Sequence, residues 1–470
     1  MRTPRADLLF LLPFRAETAF LRDDAPGWRD ELQQMGVELV EDRQADVAVV
    51  SRSEDFVASD AKAIVARGSH PCRGDRRCRT FAALPSSDNP AIVLPLDRPH
   101  VASYALETWT VPRARWRRAV KPLLVRKPVP ILKRRPATTI TIACPAGLEP
   151  FLVTSARAEL GIGAELDWYL VCGQGDARSR GMFALFERAA RAPRWILKFA
   201  RIRGDAGAFA RDAEGLGIVA LAGGAAAARA PRLVARFESA GFGASVETAG
   251  LGTQLTAILG SRRSLREREE IVERIATWLL TVATQTVGPS GSALPELRRL
   301  YEHVLPRWPH IDSRLLDGLD GVPGSLQHND LGCWNIVATK SGEFTVLDWE
   351  DTRRFGLPLW DLWYFLADAL ALVEQGAGED RVAFFSRLFG GEARGSKTLF
   401  RWTRAFTAAL GVPPATIGSL ATLCWLHHGV SRLYRAESGG TPRVWPAERY
   451  HEAWASDRRL GPTWDAWATA

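Results

Sequence analysis

Three oxygen-bearing side chains near the middle of the chain have types and spacings suited to phosphoryl transfer. Asp330 lies in the pattern H-x-D-x-x-x-x-N, which ends at Asn335, and Asp348 follows an apolar stretch and begins the sequence D-W-E. Phosphoryl transfer needs a carboxylate that positions the acceptor hydroxyl and takes its proton. It also needs a carboxylate and an amide oxygen that hold Mg²⁺ on a nucleoside triphosphate. The pattern therefore predicts metal-dependent phosphoryl transfer, but it does not identify the acceptor.

A lysine and a glutamate upstream could serve the same chemistry. Lys198 lies in the strand-like sequence W-I-L-K-F, where a strand would direct its ammonium group inward, and Glu214 follows on a predicted helix. Glu214 is a candidate to hold Lys198 in place. The alternative is an exposed strand lysine and a solvated helix glutamate, and the downstream motif favours the functional interpretation.

These motifs resemble those of the aminoglycoside phosphotransferase and choline kinase superfamily, the protein-kinase-like small-molecule kinases. Members show H-G-D or H-N-D, four residues and Asn, then an apolar strand that ends in D-W-E or D-F-E, then G-x-P-x-x-D. This chain has H-N-D at 328–330, D-W-E at 348–350 and G-L-P-L-W-D at 356–361. The resemblance covers roughly residues 150–435. It implies ATP and Mg²⁺ as cofactors and a small-molecule hydroxyl as acceptor.

The resemblance also implies a role for each candidate residue. Asp330 would be the catalytic base, and Asn335 and Asp348 would bind Mg²⁺. Lys198, held by Glu214, would contact the α- and β-phosphates. The remaining implied roles are a turn over the phosphates at Gly173, Gly175, Ser179 and Gly181, adenine binding by the backbone of 246–252, and structural support from His328 and Asp361.

Two of these assignments have alternatives. The G-x-G at 173–175 also suits an ordinary hairpin turn. Glu350 and Asp351 could tune the metal or face the acceptor, and the sequence does not distinguish these roles.

Apolar patterns place the candidate residues in an α+β, two-lobed protein-kinase-like fold. Strand-like segments such as 181–186 and 195–199 predict a small lobe with an antiparallel sheet, which we assign to residues 138–255. A capping box at Ser264 and Glu267 marks the start of a mainly helical large lobe. We assign the large lobe, with the acceptor pocket, to residues 256–470.

The first part of the chain lies outside the resemblance. Residues 1–110 alternate apolar runs with helical patterns, and we predict a small α/β accessory domain there. Strands are expected at 8–12 and 91–95, and a helix is expected at 59–67. The segment contains no phosphate-loop or dinucleotide fingerprint, so its role is not indicated.

A basic stretch follows this segment. Residues 111–137 contain five prolines, and positions 113–135 hold ten Lys and Arg residues and no acid. Because the prolines prevent one long helix, we favour a solvated linker. A weak contact with an anionic membrane or an acidic partner is the alternative. No specific nucleic-acid partner is expected.

Length and composition set wider limits. A chain of 470 residues is too long for one ordinary core, and 46% apolar and 24% charged residues are ordinary globular values. The net charge is +8. The six cysteines are scattered, the pair at 72 and 78 lacks a usual zinc spacing, and no apolar run is long enough to span a bilayer. These features predict a cytoplasmic protein with reduced cysteines.

The main alternative to an active kinase is a nucleotide-binding pseudokinase or scaffold, with the N-terminal domain as its interaction module. Loss of Asp330, Asn335, Asp348 or Lys198 would favour it. All four are present, so the sequence favours the active enzyme.

Overall fold

The protein is described by a computed structural model in which most of the chain is placed. The described residues are 4–21, 28–41, 44–50, 60–71, 75–109, 125–126, 128–133, 138–145, 147–173, 180–204, 207–261, 263–339, 341–375, 380–437, 449–457, 459–460 and 464. The chain divides into two compact units. Unit 1 comprises residues 1–210 and 233–249, and unit 2 comprises residues 211–232 and 250–470.

Unit 1 is built on one twelve-stranded sheet. Its strands are β1 (Thr18–Leu21), β2 (Glu38–Leu39), β3 (Val47–Val50), β4 (Ala63–Arg67), β5 (Arg77–Ser86), β6 (Asn89–Pro95), β7 (Thr139–Cys144), β8 (Asp167–Val171), β9 (Gly181–Phe186), β10 (Trp195–Phe199), β11 (Leu233–Ser239) and β12 (Phe242–Thr248). They lie in the order β11-β12-β10-β9-β8-β6-β5-β7-β4-β3-β1-β2. Its helices include α1 (Trp28–Gln34), α2 (Pro99–Trp109), α3 (Pro128–Lys133) and α4 (Phe151–Glu159).

Strands from the N-terminal segment and from the predicted small lobe belong to the same sheet. β7 follows the basic stretch in sequence, yet it lies between β4 and β5. β6 pairs with β8 through Ile92 opposite Val171 and Val93 opposite Leu170. The predicted boundaries at 110 and 138 therefore do not coincide with the division seen in the structure, because the sheet hydrogen bonds run across them.

Two predicted elements of the N-terminal segment are wrong. Residues 8–12 were expected to form a strand, but they belong to a 3₁₀ helix, Pro4–Leu11, and the next residue. All five side chains are buried, and a continuous apolar run does not distinguish a buried strand from a buried helical segment. The helix expected at 59–67 is replaced over its second half by β4. β4 is a central strand that is buried on both faces, which removes the alternation that would have marked it.

Other predicted elements are confirmed. The strands expected at 91–95, 181–186 and 195–199 are present as parts of β6, β9 and β10. Their alternating or β-branched and aromatic sequences carry strong strand signals. The core of unit 1 includes Phe10, whose ring lies 4.6 Å from that of Phe199 and 5.2 Å from that of Phe242, centroid to centroid.

Unit 2 is mainly helical and holds two small sheets. Its helices are α5 (Gly207–Ala222, of which the first turn belongs to unit 1), α6 (Gly224–Ala227), α7 (Leu255–Leu259), α8 (Leu265–Thr286), α9 (Leu294–His303), α10 (Trp360–Gln375), α11 (Arg381–Phe389), α12 (Ser396–Leu410), α13 (Ile417–Glu437) and α14 (Tyr450–Ser456). Its strands are β13 (Thr253–Gln254), β14 (Ser325–Gln327), β15 (Ile336–Ala338), β16 (Phe344–Val346) and β17 (Arg353–Gly356). β13, β15 and β16 form one sheet, and β14 and β17 form the other.

The predicted start of the helical region is confirmed. The Ser264 hydroxyl accepts a hydrogen bond from the Glu267 backbone N–H, and the Glu267 carboxylate accepts one from the Ser264 N–H. This capping box satisfies two backbone donors at the start of α8.

Three further expectations concern the chain as a whole. Cys78 on β5 is disulfide-bonded, so the expectation that every cysteine is reduced is wrong, and Cys72 lies outside the described residues. Most of the basic stretch at 113–135 also lies outside them. Among the described helices, none combines the length and apolar character that a membrane span requires.

Candidate active site

The H-N-D sequence lies in the loop that follows β14, where one carboxylate fixes two consecutive backbone amides. The carboxylate of Asp361, in the first turn of α10, accepts hydrogen bonds from the N–H groups of His328 (2.6 Å) and Asn329 (2.9 Å). The Asn329 side chain donates to the backbone oxygen of Asp351 (2.8 Å). The loop is therefore held from both sides immediately before Asp330.

The ring of His328 connects this loop to the strand that precedes D-W-E. Its Nδ1 accepts a hydrogen bond from the Asp330 N–H (3.2 Å), which leaves the proton on Nε2 to donate to the oxygen of Leu347 (2.8 Å). The ring also packs against Trp349, with centroids 4.6 Å apart. His328 is buried, so these contacts fix the two motifs relative to each other.

The carboxylate of Asp330 is held at both oxygens. Asn335 Nδ2 donates to Asp330 Oδ2 (2.9 Å) and to its backbone oxygen (2.8 Å). The hydroxyl of Tyr364, on α10, donates to Asp330 Oδ1 (3.1 Å). Sequence reasoning missed Tyr364. The spacing from Asp361 could have identified Tyr364, because residues three apart on a helix lie on neighbouring positions of one face.

Burial, followed by the negative charge of Asp348, raises the pKa of Asp330 to about 8. Asp351 adds to the increase, whereas the hydrogen bonds from Tyr364 and Asn335 oppose it. Burial also raises the pKa of Asp361, although His328 and the two backbone N–H groups act against it. Carboxylates that repel each other in a desolvated site are typical of a place where a cation or a proton is bound.

Asn335 and Asp348 have the chemistry expected of Mg²⁺ ligands. The Leu347 N–H donates to the backbone oxygen of Asn335 (2.7 Å), so the segments that carry Asn335 and Asp348 lie side by side. The nitrogen of the Asn335 amide donates two hydrogen bonds to Asp330, and its side-chain oxygen is the atom that would bind a cation. Among the described residues, no group of three or more His, Cys, Asp or Glu could hold a metal. A carboxylate with an amide oxygen instead suits Mg²⁺, which binds few protein ligands and retains water.

Lys198 is buried in unit 1, where its ammonium group contacts Glu247 on the neighbouring strand β12 (3.0 Å). In the β10–β12 register Lys198 lies opposite Ser245, so Glu247, two residues further along, is on the same face of the sheet. Glu214 is an exposed residue of α5 in unit 2, and its pairing with Lys198 stays a prediction. Sequence reasoning missed Glu247, because only the strand pairing makes it a neighbour of Lys198.

The predicted phosphate turn is described only at its ends. The Gly173 N–H donates to the carboxylate of Asp7 (3.0 Å), and Gly175 and Ser179 lie outside the described residues. Gly181 starts β9, and a Cβ atom there would lie 2.2 Å from the ring of Phe199. This position therefore requires glycine for packing, whatever its role toward phosphate.

Residues 246–252, predicted to bind adenine, run from the end of β12 to the start of β13. The chain passes from unit 1 to unit 2 between Ala249 and Gly250, within this segment. Gly252 has a φ of +124° and lies against the backbone of Ala338, so the segment turns sharply as it enters unit 2.

Solved structures of aminoglycoside phosphotransferases are among those similar to part of this chain. One is aminoglycoside phosphotransferase APH(3'')-Id from Streptomyces rimosus ATCC10970, with 15% identity, a TM-score of 0.33, and coverage of 55% of this chain and 90% of that one. Another is an aminoglycoside-3'-phosphotransferase of type VIII, with 20% identity, a TM-score of 0.32, and coverage of 55% and 98%. No curated protein matches the sequence.

Residues 182–397 match the family described as the phosphotransferase enzyme family. The matched range contains Lys198 and both motifs that hold Asp330, Asn335 and Asp348. The resemblance predicted from the sequence is therefore confirmed, and residues 182–397 of this chain are similar to the phosphotransferase enzyme family.

Proposed function

We propose that this protein transfers the γ-phosphoryl group of ATP to a hydroxyl group of a small molecule in a Mg²⁺-dependent reaction. The observation that carries the proposal is the carboxylate of Asp330, held at both oxygens beside Asp348 and Asn335. Phosphoryl transfer proceeds mainly through positioning and charge neutralisation. A fixed carboxylate next to two oxygen ligands meets both requirements.

In this proposal Asp330 binds the acceptor hydroxyl and takes its proton as the oxygen attacks the γ-phosphorus, while the bond from that phosphorus to the β-phosphate oxygen breaks and ADP leaves. Burial, the largest cause of the raised pKa of Asp330, favours proton uptake by this carboxylate. Asn335 and Asp348 would hold Mg²⁺, which neutralises charge on the phosphate oxygens when bound. His328 and Asp361 keep the loop in place, so Asp330 does not have to be reorganised during the reaction.

Lys198 would contact the α- and β-phosphates, with Glu247 holding its ammonium group from the neighbouring strand. Glu214 remains a proposed second acid for this lysine. Gly173, Gly175 and Ser179 would cover the phosphates. The acceptor classes proposed are a sugar, an amino sugar, an amino alcohol and an antibiotic.

The test is ADP release with Mg²⁺ against a panel of these acceptors, with the wild type beside Asp330→Asn. We expect acceptor-stimulated release by the wild type and a loss of roughly a thousandfold or more in the variant, as for removal of a triad member in other enzymes. Mg·ATP binding without turnover of any acceptor by the wild type would favour the pseudokinase alternative. Absence of nucleotide binding would contradict the proposal.

A further inference from the structure

Tyr364 joins the candidate site from helix α10, outside the motifs that the sequence analysis used. Its hydroxyl donates to Asp330 Oδ1 (3.1 Å), and only 6% of the residue is exposed. Its ring stacks on His428 with centroids 4.0 Å apart and planes inclined by 23°. The ring of Trp334 lies nearly perpendicular to that of Tyr364, with centroids 5.9 Å apart and planes inclined by 83°. The phenol is therefore fixed on two sides before its hydroxyl reaches the carboxylate.

The two donors to Asp330 come from different elements and act on different oxygens. Asn335 Nδ2 binds Oδ2 from the end of the catalytic loop, and the Tyr364 hydroxyl binds Oδ1 from α10. A carboxylate held at one oxygen can still rotate about its Cβ–Cγ bond, because this torsion has a broad energy profile. A carboxylate held at both oxygens has one orientation, and that orientation decides where an acceptor hydroxyl can bind.

We propose that Tyr364 is a positioning residue which, together with Asn335, fixes the plane of the Asp330 carboxylate toward the acceptor hydroxyl. The inference rests on the proposed function for its kinetic consequences, but its structural part is independent of it. Burial and the adjacent carboxylate raise the pKa of the phenol, so the hydroxyl remains a donor over the working pH range.

The direct test is Tyr364→Phe, which removes the hydroxyl and keeps the ring stacked on His428. We expect kcat for acceptor phosphorylation to fall roughly tenfold or more, in line with a lost hydrogen bond to a charged group and a misplaced base. KM for ATP should stay within about twofold, since Tyr364 acts through Asp330. The ratio of ADP formed to acceptor phosphorylated should rise, because a rotated carboxylate no longer favours the acceptor over water.

Tyr169→Phe is the matched control. Tyr169 is also buried, and its hydroxyl accepts a hydrogen bond from Trp109 Nε1 (3.0 Å) in unit 1. Loss of the Tyr169 hydroxyl should lower Tm without changing the ratio of ADP formed to acceptor phosphorylated. A Tyr364→Phe variant with unchanged kcat, or with an unchanged ratio, would overturn the proposal.

A second measurement keeps the two proposals separate. A crystal structure of Tyr364→Phe should show the Asp330 carboxylate rotated about its Cβ–Cγ bond, with the bond to Asn335 retained or exchanged. An unchanged carboxylate would refute the positioning role, whatever the activity. Wild-type protein that phosphorylates no acceptor would instead contradict the proposed function and leave this structural result to decide the role of Tyr364.

Discussion

At the scale of single residues, the candidate site keeps two non-glycine residues in the left-handed backbone region. Asn329 has a φ of +69° and Asp348 a φ of +64°. Asn and Asp tolerate this region better than other residues with a Cβ atom, but it still costs free energy. At Asn329 the carboxylate of Asp361 and the backbone oxygen of Asp351 supply compensating hydrogen bonds. The unfavourable backbone conformation thus occurs at Asp348 and immediately before Asp330, the two carboxylates proposed to act in the reaction.

His428, behind Tyr364, makes the stability of the protein depend on pH. Burial lowers the pKa of His428 to about 3 from an ordinary 6.5. Its stabilising contribution is complete above pH 6.5, where both folded and unfolded states hold the neutral ring. It is lost as the pH falls from 6.5 toward 3, because only the unfolded state takes up the proton there. The free energy of unfolding should fall by about 1.4 kcal/mol per pH unit from this group.

The measurement is urea unfolding between pH 7 and 4.5 for the wild type and for His428→Phe, which keeps an aromatic ring on Tyr364. The difference between the two proteins isolates His428 from the carboxylates that titrate in the same range. We expect the stability of the wild type relative to the variant to fall by roughly 2–3 kcal/mol between pH 6.5 and 4.5. Parallel curves for the two proteins would contradict this assignment.

At the scale of elements, helix α5 approaches the turn that carries D-W-E closely at Gly215. A Cβ atom on Gly215 would lie 1.8 Å from the backbone oxygen of Trp349, the residue after Asp348. Because that oxygen also accepts the hydroxyl of Thr352 (2.6 Å), it cannot move freely. Gly215→Ala should therefore shift the D-W-E turn, with a loss of roughly a hundredfold in kcat and about 1–3 kcal/mol in stability.

Gly217, in the same helix, provides the control, since a Cβ atom there would meet nothing within 4 Å. Gly217→Ala should stabilise the protein by about 0.5–1 kcal/mol through helix propensity and leave kcat unchanged. Thermal unfolding and steady-state kinetics of the two variants check both effects. Equal behaviour of the two variants would show that the contact at Gly215 does not control the D-W-E turn.

The elements also show what a sequence can predict. β9 and β10 were predicted from their patterns, and the capping box of α8 was predicted from two residues, because these signals are local. The loop that holds Asp330 was identified as a candidate catalytic loop from spacing alone. By contrast, Glu247 becomes a neighbour of Lys198 only through the register of β10 with β12.

The N-terminal segment was the least predictable part for the same reason. Asp7 contacts Arg201 at 2.6 Å and the N–H of Gly173 at 3.0 Å, across separations of well over a hundred residues. No local pattern records contacts of this kind. The continuous burial of residues 8–12 and of β4 also removed the periodicity on which sequence reasoning depends.

At the scale of the whole molecule, the twelve-stranded sheet predicts that the kinase-like segment is destabilised without the residues before it. A chain that starts at Thr138 would lose β1 to β6, and β7 would then have no neighbouring strand while β8 kept only β9. It would also lose Phe10 from the core and the buried carboxylate of Asp7 that faces Arg201. We therefore expect the part of unit 1 that remains in residues 138–470 to be strongly destabilised and prone to aggregate, because β7 is left unpaired, β8 becomes an exposed sheet edge and part of the core is missing.

Limited proteolysis with mass spectrometry tests this prediction, because the positions of the cleavage sites show separately whether unit 1 and unit 2 are folded. The strands β7, β8, β9 and β10 of the full chain should resist cleavage, whereas those of the shorter chain should be cut while helices α8 to α13, which share the core of unit 2, remain protected. If β10 becomes susceptible to proteolysis, nucleotide binding should be lost as well, because Lys198 lies on that strand. A shorter chain that stays protected at β7 to β10 and binds Mg·ATP as the full chain does would instead restore an independent small lobe, with residues 1–110 as a separate accessory domain.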